Sequence, residues 1–350
     1  MHQISTIALH EFTVAVLTGC GVPEDDAGIV ADTIVDAHLS GKGTHGVTRL
    51  PIYVRKIRGG LMDPRTPVSV VRESPAIAVL DANHGFGQVA AVRAMAQCVK
   101  KAKALGVGIV GVRHSNNFGV AGYFARQAAN EGFIGIVLGN SAPAIAPTGG
   151  TEPLLGTNPL AVAFPDGEGD VPIVLDMATS EVARGRIRLA ARQGESIPEG
   201  WALDAAGNPT TDPAAALGGS MVPIGGAKGY GLSLVIDVLA GLLPGAAFAG
   251  QVKPLNHPDR RSDYGHWMMA LDPTHFLDPN SYADRMATLV TAVRSAPATD
   301  RVWLPGERAK EARRNAAQSV TLGEVAWRTL CELSEEFGLT TPRSSLQRRT

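Results

Sequence analysis

From about residue 67 the chain alternates two textures, and that alternation restricts its fold more than any other feature. Short runs rich in β-branched residues, at 68–71, 76–80, 108–112 and 134–138, are separated by stretches of helical length at 89–105 and 122–131. β-Branched side chains suit strands, so the pattern specifies an α/β architecture, a sheet covered by helices. Further strands are expected at 161–164 and 173–175. On either side of this region the texture is helical. Ser5 stands where it can cap a helix carrying Leu9, Phe12, Val16 and Leu17 at helical spacing. After the break Gly21-Val22-Pro23-Glu24, a second helix presents Ala27, Val30, Ala31, Ile34 and Val35 on one face. A third is expected over 47–57, and beyond Pro305 the chain turns charged and helical again, to about Phe337. The expected organisation is a mostly helical layer from residues 1–70 with 300–338, an α/β region over 71–299, and a polar tail at 339–350.

Composition excludes several function classes. Hydrophobic residues make up 45% and charged residues 19% of 350, enough to bury a sizeable core. A formal net charge of -1 gives no long-range attraction to nucleic acid or an anionic membrane, so neither is expected as a partner. The pairs Arg313-Arg314 and Arg348-Arg349 read as solvated surface. Cys20, Cys98 and Cys331 are far apart, odd in number and free of a C-x-x-C spacing. Neither a disulfide framework nor a metal site is expected, and a reducing cytoplasm fits. The N-terminus lacks the basic and apolar regions of a signal peptide. No apolar stretch reaches the ~18 residues of a membrane span. The apolar run 235–243, interrupted by Asp237 and ended by Pro244, is expected to be a buried core helix.

The segment Gly85-Phe86-Gly87-Gln88-Val89-Ala90 has the G-x-G-x-x-A outline of a dinucleotide fingerprint. Its first glycine stands several residues beyond the preceding strand, where a tight turn is wanted. The next strand ends at Val112-Arg113, with no acid for a ribose. A structural turn accounts for these glycines better.

Other segments carry chemistry. Gly41-Lys42-Gly43-Thr44-His45-Gly46 holds three glycines in six residues, a place where backbone comes close to something. His45 can give a proton to a developing alkoxide, Thr44 can orient its ring, and Arg49, four residues on, can hold a carboxylate in two hydrogen bonds. With an imidazolium as the donor, reduction of a carbonyl is expected to fade as pH rises through the histidine pKa. Arg113 to Gly119 follows a strand and precedes a helix, a position that lines a site or simply caps a turn. The Gly- and Pro-rich stretch from Asn140 to Leu160 exposes backbone N–H groups, which suit phosphate. Asp176 to Ser180 ends a strand with an acid and two hydroxyls, fit for ribose or amide contacts. Lys228 stands among four glycines before an apolar helix, an arrangement that suits an anion.

Taken together these segments resemble the malate/L-lactate dehydrogenase family that is unrelated to the Rossmann-fold lactate dehydrogenases. The resemblance covers about residue 5 to about residue 338. It rests on Gly43-Thr44-His45-Gly46-Val47-Thr48-Arg49-Leu50-Pro51, Glu152 to Pro159, Asp176-Met177-Ala178-Thr179-Ser180, Lys228-Gly229-Tyr230-Gly231-Leu232, Gly265-His266 and Pro305-Gly306-Glu307-Arg308. It implies a non-Rossmann fold whose α/β region binds cofactor and substrate, and a homodimer with active sites near the subunit interface. It implies an NAD- or NADP-dependent oxidoreductase acting on the CH–OH group of a small 2-hydroxy acid, or reducing the matching 2-oxo acid. His45 then matches the proton donor, with Thr44 beside it, and Arg49 the substrate-carboxylate binder. Ser141, Asp176, Met177, Ala178, Lys228, Pro305, Gly306 and Glu307 match cofactor-contacting positions. Two departures bear on substrate. Asn117 stands where a histidine is frequent. Arg186 stands where the cyclic-imine reductases of the family carry an aspartate, which suits an oxo acid with a second anionic group. Asn117 and Arg186 are therefore the further candidate substrate-binding residues. Reduction of a cyclic-imine carboxylate is the alternative activity, and an inactive binding homologue the third reading.

Overall fold

The structure is a computed structural model that describes residues 1–316 and 318–342. Its centre is a seven-stranded sheet. In spatial order the strands are Ser69–Glu73, Ile77–Asp81, Val107–Ser115, Tyr264–Leu271, Ile134–Gly139, Leu160–Phe164 and Ile173–Met177. Six of the seven lie where the β-branched runs are. The seventh, Tyr264–Leu271, comes from far along the chain and inserts between Val107–Ser115 and Ile134–Gly139, antiparallel to both. Only Ile77–Asp81 and Val107–Ser115 run parallel. A pleated strand sends alternate side chains to opposite faces. On one face Val110, Val112, Val137, Met268 and Ala270 meet the helices Gly87–Leu105 and Ala121–Asn130 in a closed apolar core. On the other, Ile136, Leu138 and Trp267 meet Ile236 and Ala240.

A second core gathers both chain ends. Leu9, Phe12 and Val16 of the helix Thr6–Thr18 pack with Val30 and Ile34 of Glu24–Leu39. Leu50, Tyr53 and Val54 of Leu50–Arg58 and Leu330 and Leu333 of Glu324–Phe337 complete it. Phe86 and Val89 enter the same cluster, which docks the helical layer onto the start of the helix Gly87–Leu105. A third, smaller core holds the helix Arg184–Gln193 against the short strands Ala202–Leu203, Pro209–Thr210 and Ser220–Met221.

Several local expectations are corrected. Ser5 makes no side-chain cap hydrogen bond. It ends a strand, His2–Ser5, that pairs antiparallel with Ser319–Leu322 inside the stretch expected to be helical, because Ile4 and Val320 both gain burial there. The run 235–243 is helical but not a buried core helix. It lies across one face of the sheet and buries Ile236, Asp237 and Ala240, while Val235, Leu242 and Leu243 stay 54%, 49% and 62% exposed. Asp237 is buried because its carboxylate accepts from the Asn140 side-chain amide and the Ala249 N–H.

The glycines of the fingerprint-like segment serve packing. A Cβ on Gly85 would strike the Thr66 side chain, and one on Gly87 would overlap the Asn116 carbonyl. Both are pressed against protein backbone or side chain, which leaves no place for a pyrophosphate. Gly87→Ala should accordingly destabilise the chain by about 1–3 kcal/mol, as overpacking does. Thermal or urea unfolding measures this; an unchanged stability with a lost dinucleotide affinity would reverse the assignment.

Candidate active site

The helix Glu24–Leu39 stops at Ser40, and the chain then turns through two short 3-10 segments, Gly43–His45 and Val47–Arg49. The turn is built on His38, a residue the motif reading passed over. Its Nε2 accepts the Val47 N–H at 3.0 Å, and its ring fills the space where a Gly46 Cβ would be. Burial pushes the His38 imidazole down to about 4, so it is the neutral acceptor that this bond requires. The glycine at 46 is thus demanded by an imidazole beneath the loop.

His45 stands at the end of the first 3-10 segment. Its Nδ1 lies 3.3 Å from Thr44 Oγ1, and the Thr44 carbonyl accepts from Arg49 Nε at 3.0 Å. Burial, then the neighbouring Arg49 and Lys42 cations, push the His45 imidazole down to about 3. The shift leaves His45 neutral across the whole range near pH 7, so the imidazolium expected as the donor is not populated in the ligand-free chain. A neutral imidazole is ready to take a proton; giving one requires that an anion first offset the two cations beside it.

Arg49 makes no ion pair among the described residues, and neither does Arg188. Burial lowers the Arg188 guanidinium, and Arg49 is the largest charge acting on it. Both cations also act on the buried Tyr264 phenol, which burial holds high. The contact that brings this about is Gly185: a Cβ there would sit 3.2 Å from Thr44 Cγ2, so the helix Arg184–Gln193 starts against the His45 loop. Arg184 is spent on backbone, donating to the carbonyls of Pro143 and Leu217. Arg186 and Arg188 are both exposed, and neither side chain makes a hydrogen bond or ion pair among the described residues. The helix thus couples Arg188 to Arg49, two residues from the candidate read in the sequence.

Asn117 accepts the Gly119 N–H at 3.1 Å, the capped-turn role, which leaves its amide NH2 free to donate. His114 binds Asp81 at 2.9 Å, and Arg113 binds the same carboxylate oxygen at 3.0 Å. His266 is wholly buried, bonded through Nε2 to Ser115 Oγ at 2.8 Å and packed edge-on against Phe118. It is a core residue of the sheet.

The residues matched to cofactor contact lie in several places. Asp176, near the end of the edge strand Ile173–Met177, pairs with Lys42, and Met177 and Ala178 follow it, part-buried. Pro305 and Gly306 lie beside this strand, the Pro305 carbonyl accepting the Val174 N–H at 2.9 Å. Gly306 has φ +83, and a Cβ on it would strike Val174. A cavity of about 270 Å³ opens between them, with Lys42, Gly122, Asp176 and Arg313 in its wall. Glu307 turns away: its carboxylate accepts the Leu304 N–H and binds Arg294 and Arg301, which together hold it below the usual carboxylate range. Ser141 Oγ is buried without a partner, as is Thr179 Oγ1. Lys228 is exposed in the first turn of the helix Ala227–Ile236 and makes no ion pair among the described residues.

A family model described as malate/L-lactate dehydrogenase matches residues 4–331. The chain belongs to this dehydrogenase family. It is 42% identical over 325 residues to the L-sulfolactate dehydrogenase of Methanothermobacter thermautotrophicus, covering 93% of this chain and 94% of that one. It is 43% identical over 311 residues to the malate dehydrogenase of Pyrococcus horikoshii, covering 86% and 85%. Among solved structures, the sulfolactate dehydrogenase of Methanocaldococcus jannaschii superposes with a TM-score of 0.90 at 39% identity, covering 97% of this chain and 98% of that one. By their names, relatives include both NAD(+)- and NADP(+)-linked enzymes.

Proposed function

We propose that this chain is an NAD- or NADP-dependent dehydrogenase of small 2-hydroxy acids that carry a second anionic group, and reduces the matching 2-oxo acids. The observation that carries the reading is the meeting of a neutral His45 with two arginines, Arg49 and Arg188, that no carboxylate neutralises. A charge-assisted fork from Arg49 suits the 2-carboxylate, and Arg188 suits the far anionic group. In this proposal Arg188 takes the part first given to Arg186, since residues two apart on a helix do not share a face. Asn117 offers its free amide to the substrate. A cyclic-imine carboxylate has one anionic group and would leave Arg188 uncompensated.

The residues matched to cofactor contact fit a dinucleotide. Outside the cavity, Ser141 Oγ and Thr179 Oγ1 are buried polar atoms with no partner among the described residues, and at its wall Gly306 lets backbone close on Val174. Asp176, Met177, Ala178, Pro305 and Gly306 would hold the cofactor, with Ser141 and Lys228 as further contacts and Glu307 fixing the turn. When bound, the nicotinamide supplies or accepts the hydride. His45 takes the hydroxyl proton during oxidation and returns it to the carbonyl oxygen during reduction, with Thr44 fixing its ring. The helical layer of 1–70 with 300–338 presents the His45 loop to the α/β region of 71–299. A cytoplasmic enzyme fits three free cysteines, and no helix among the described residues is long and apolar enough to cross a membrane.

We further propose a homodimer. Leu232, Leu234, Val235, Val238, Leu242 and Leu243 form an uncovered apolar face on one helical segment, each 42–62% exposed. A contiguous patch of this kind marks an association surface. Sedimentation should give twice the chain mass, and Val235→Asp should shift it toward the monomer; a wild-type monomer at micromolar concentration would exclude the interface.

Substrate choice tests the anion reading. Reduction should be faster by kcat/KM with oxaloacetate or sulfopyruvate than with pyruvate or pyrroline-2-carboxylate. Arg188→Ala should erase that preference, and Arg49→Ala should cost ~2–5 kcal/mol with every 2-oxo acid. Equal losses on pyruvate and oxaloacetate in Arg188→Ala would remove that residue from the site.

His45→Ala should lower kcat by ~10²–10⁴-fold with cofactor affinity unchanged. The pH dependence follows from a free imidazole near about 3. Above that value the protonated form declines about tenfold per pH unit, so kcat/KM for reduction should fall continuously through neutrality, while the oxidation term from His45 stays flat. A plateau in reduction that breaks near the ordinary histidine value would show that burial does not control this group.

A further inference from the structure

The cavity beside Asp176 contains a charge imbalance that a plain ribose does not explain. In dinucleotide sites an acid beside the adenosine ribose favours free hydroxyls and repels a 2′-phosphate, whereas arginine accommodates the phosphate. Asp176 would act as the acid, but Lys42 already neutralises it. Three more cations line the same cavity: Arg126, Arg308 and Arg313. Arg126 is balanced by Asp36 at 2.7 Å. Arg313 has no ion pair of its own among the described residues. Its side-chain hydrogen bond goes to Ser40 Oγ at 3.0 Å, and burial followed by repulsion from Arg126 lowers its guanidinium, against a smaller opposing attraction from Asp36. Arg308 makes no ion pair either and rests over the Trp303 ring at 5.0 Å.

A larger cleft, of about 640 Å³, is more nearly balanced. Its Arg294, Arg301 and Lys310 are each paired with Glu307, Glu311 or Asp170, and the exposed Arg314 in its wall has no ion pair among the described residues. The smaller cavity thus keeps two cations without an ion pair among the described residues, Arg313 part-buried and Arg308 exposed, and the part-buried one gains most from an anion that enters. Asp176, Pro305 and Gly306 line the same cavity.

We propose that this cavity seats the 2′-phosphate of an adenine dinucleotide, with Arg313 and Arg308 as its ligands and Lys42 cancelling the repulsion from Asp176, so that the chain binds NADP(H) in preference to NAD(H). The proposal rests on the dehydrogenase reading above. It makes Lys42 a link between the two halves of the site, because the residue that screens Asp176 stands three positions before His45 and is one of the cations acting on it.

Calorimetry on the ligand-free chain tests this with 2′,5′-ADP and 5′-AMP, which differ only in the 2′-phosphate, beside NADPH and NADH. The 2′-phosphorylated member of each pair should bind about tenfold or more tightly, the size of a charge-assisted contact, and the margin should shrink with added salt. Arg313→Ala should remove most of the margin while 5′-AMP affinity holds. Arg308→Ala, at a more exposed position, should reduce it by a smaller factor and covers the case in which the Arg313 variant fails to fold. Equal or tighter binding of 5′-AMP and NADH overturns the phosphate seat and leaves the dehydrogenase reading standing. Absence of binding by all four compounds overturns both.

Discussion

The strand Tyr264–Leu271 hydrogen-bonds on both edges, to Val107–Ser115 and to Ile134–Gly139, and the site depends on that double pairing. Without it the sheet would fall into two halves with exposed edges, an arrangement proteins avoid. With it, Met268 and Ala270 complete the core beneath the two long helices, and Tyr264 at the strand's start comes within reach of Arg49 and Arg188. The register shift between Tyr264 and His266 separates the two roles of the strand. Beyond the shift its residues are core; at the shift the buried Tyr264 phenol feels the Arg49 and Arg188 cations. Bulges of this kind often re-aim a side chain beside a site.

Electrostatics in the site follow from what is left unpaired. Most buried or half-buried ions here have partners: Asp26 with Arg93, Asp81 with Arg113 and His114, Glu307 with Arg294 and Arg301. Among the described residues Arg49, Arg188, Arg308 and Arg313 make no ion pair, although Arg188 and Arg308 are exposed; Arg49 acts on Arg188, and Arg308 and Arg313 line one cavity with Lys42. A folded protein that keeps cations together without counter-ions loses stability in the empty state and regains it when anions bind. The neutral state of His45 is another consequence of the same field, since the Arg49 and Lys42 cations oppose its protonation.

The loop itself shows how a local sequence motif and a tertiary contact interlock. Gly43 and Gly46 read in the sequence as places of close approach, and they are; the approaching group is the His38 imidazole from the preceding helix. A neutral His38 is both the wedge and the hydrogen-bond acceptor that shapes the turn. The loop's outer side, carrying Thr44, meets the helix Arg184–Gln193 at Gly185. The loop that carries Thr44, His45 and Arg49 is therefore set by His38 of one helix and by the start of another.

The sequence by itself determined the α/β centre, because six strands carry their own β-branched signal and the helices between them their own period. It also determined the chemistry of the His45 loop, where glycine, threonine, histidine and arginine are adjacent along the chain and their geometry is local. It did not reveal Tyr264–Leu271 as the central strand, since its half-exposed positions are filled by Trp267, Met269 and Leu271, which leaves no polar alternation to read, and its partners lie over a hundred residues away. Nor did it show that Arg188, and not Arg186, is the arginine of this helix that feels Arg49: that depends on which side of the helix meets Thr44, and packing at Gly185 sets it. The exposed side of 235–243 was hidden for a related reason, because hydropathy reports what a segment is made of and not what covers it. Only the tertiary structure decided which charges remain unpaired, since pairing joins residues as distant as Lys42 and Asp176 and depends on the whole chain being folded.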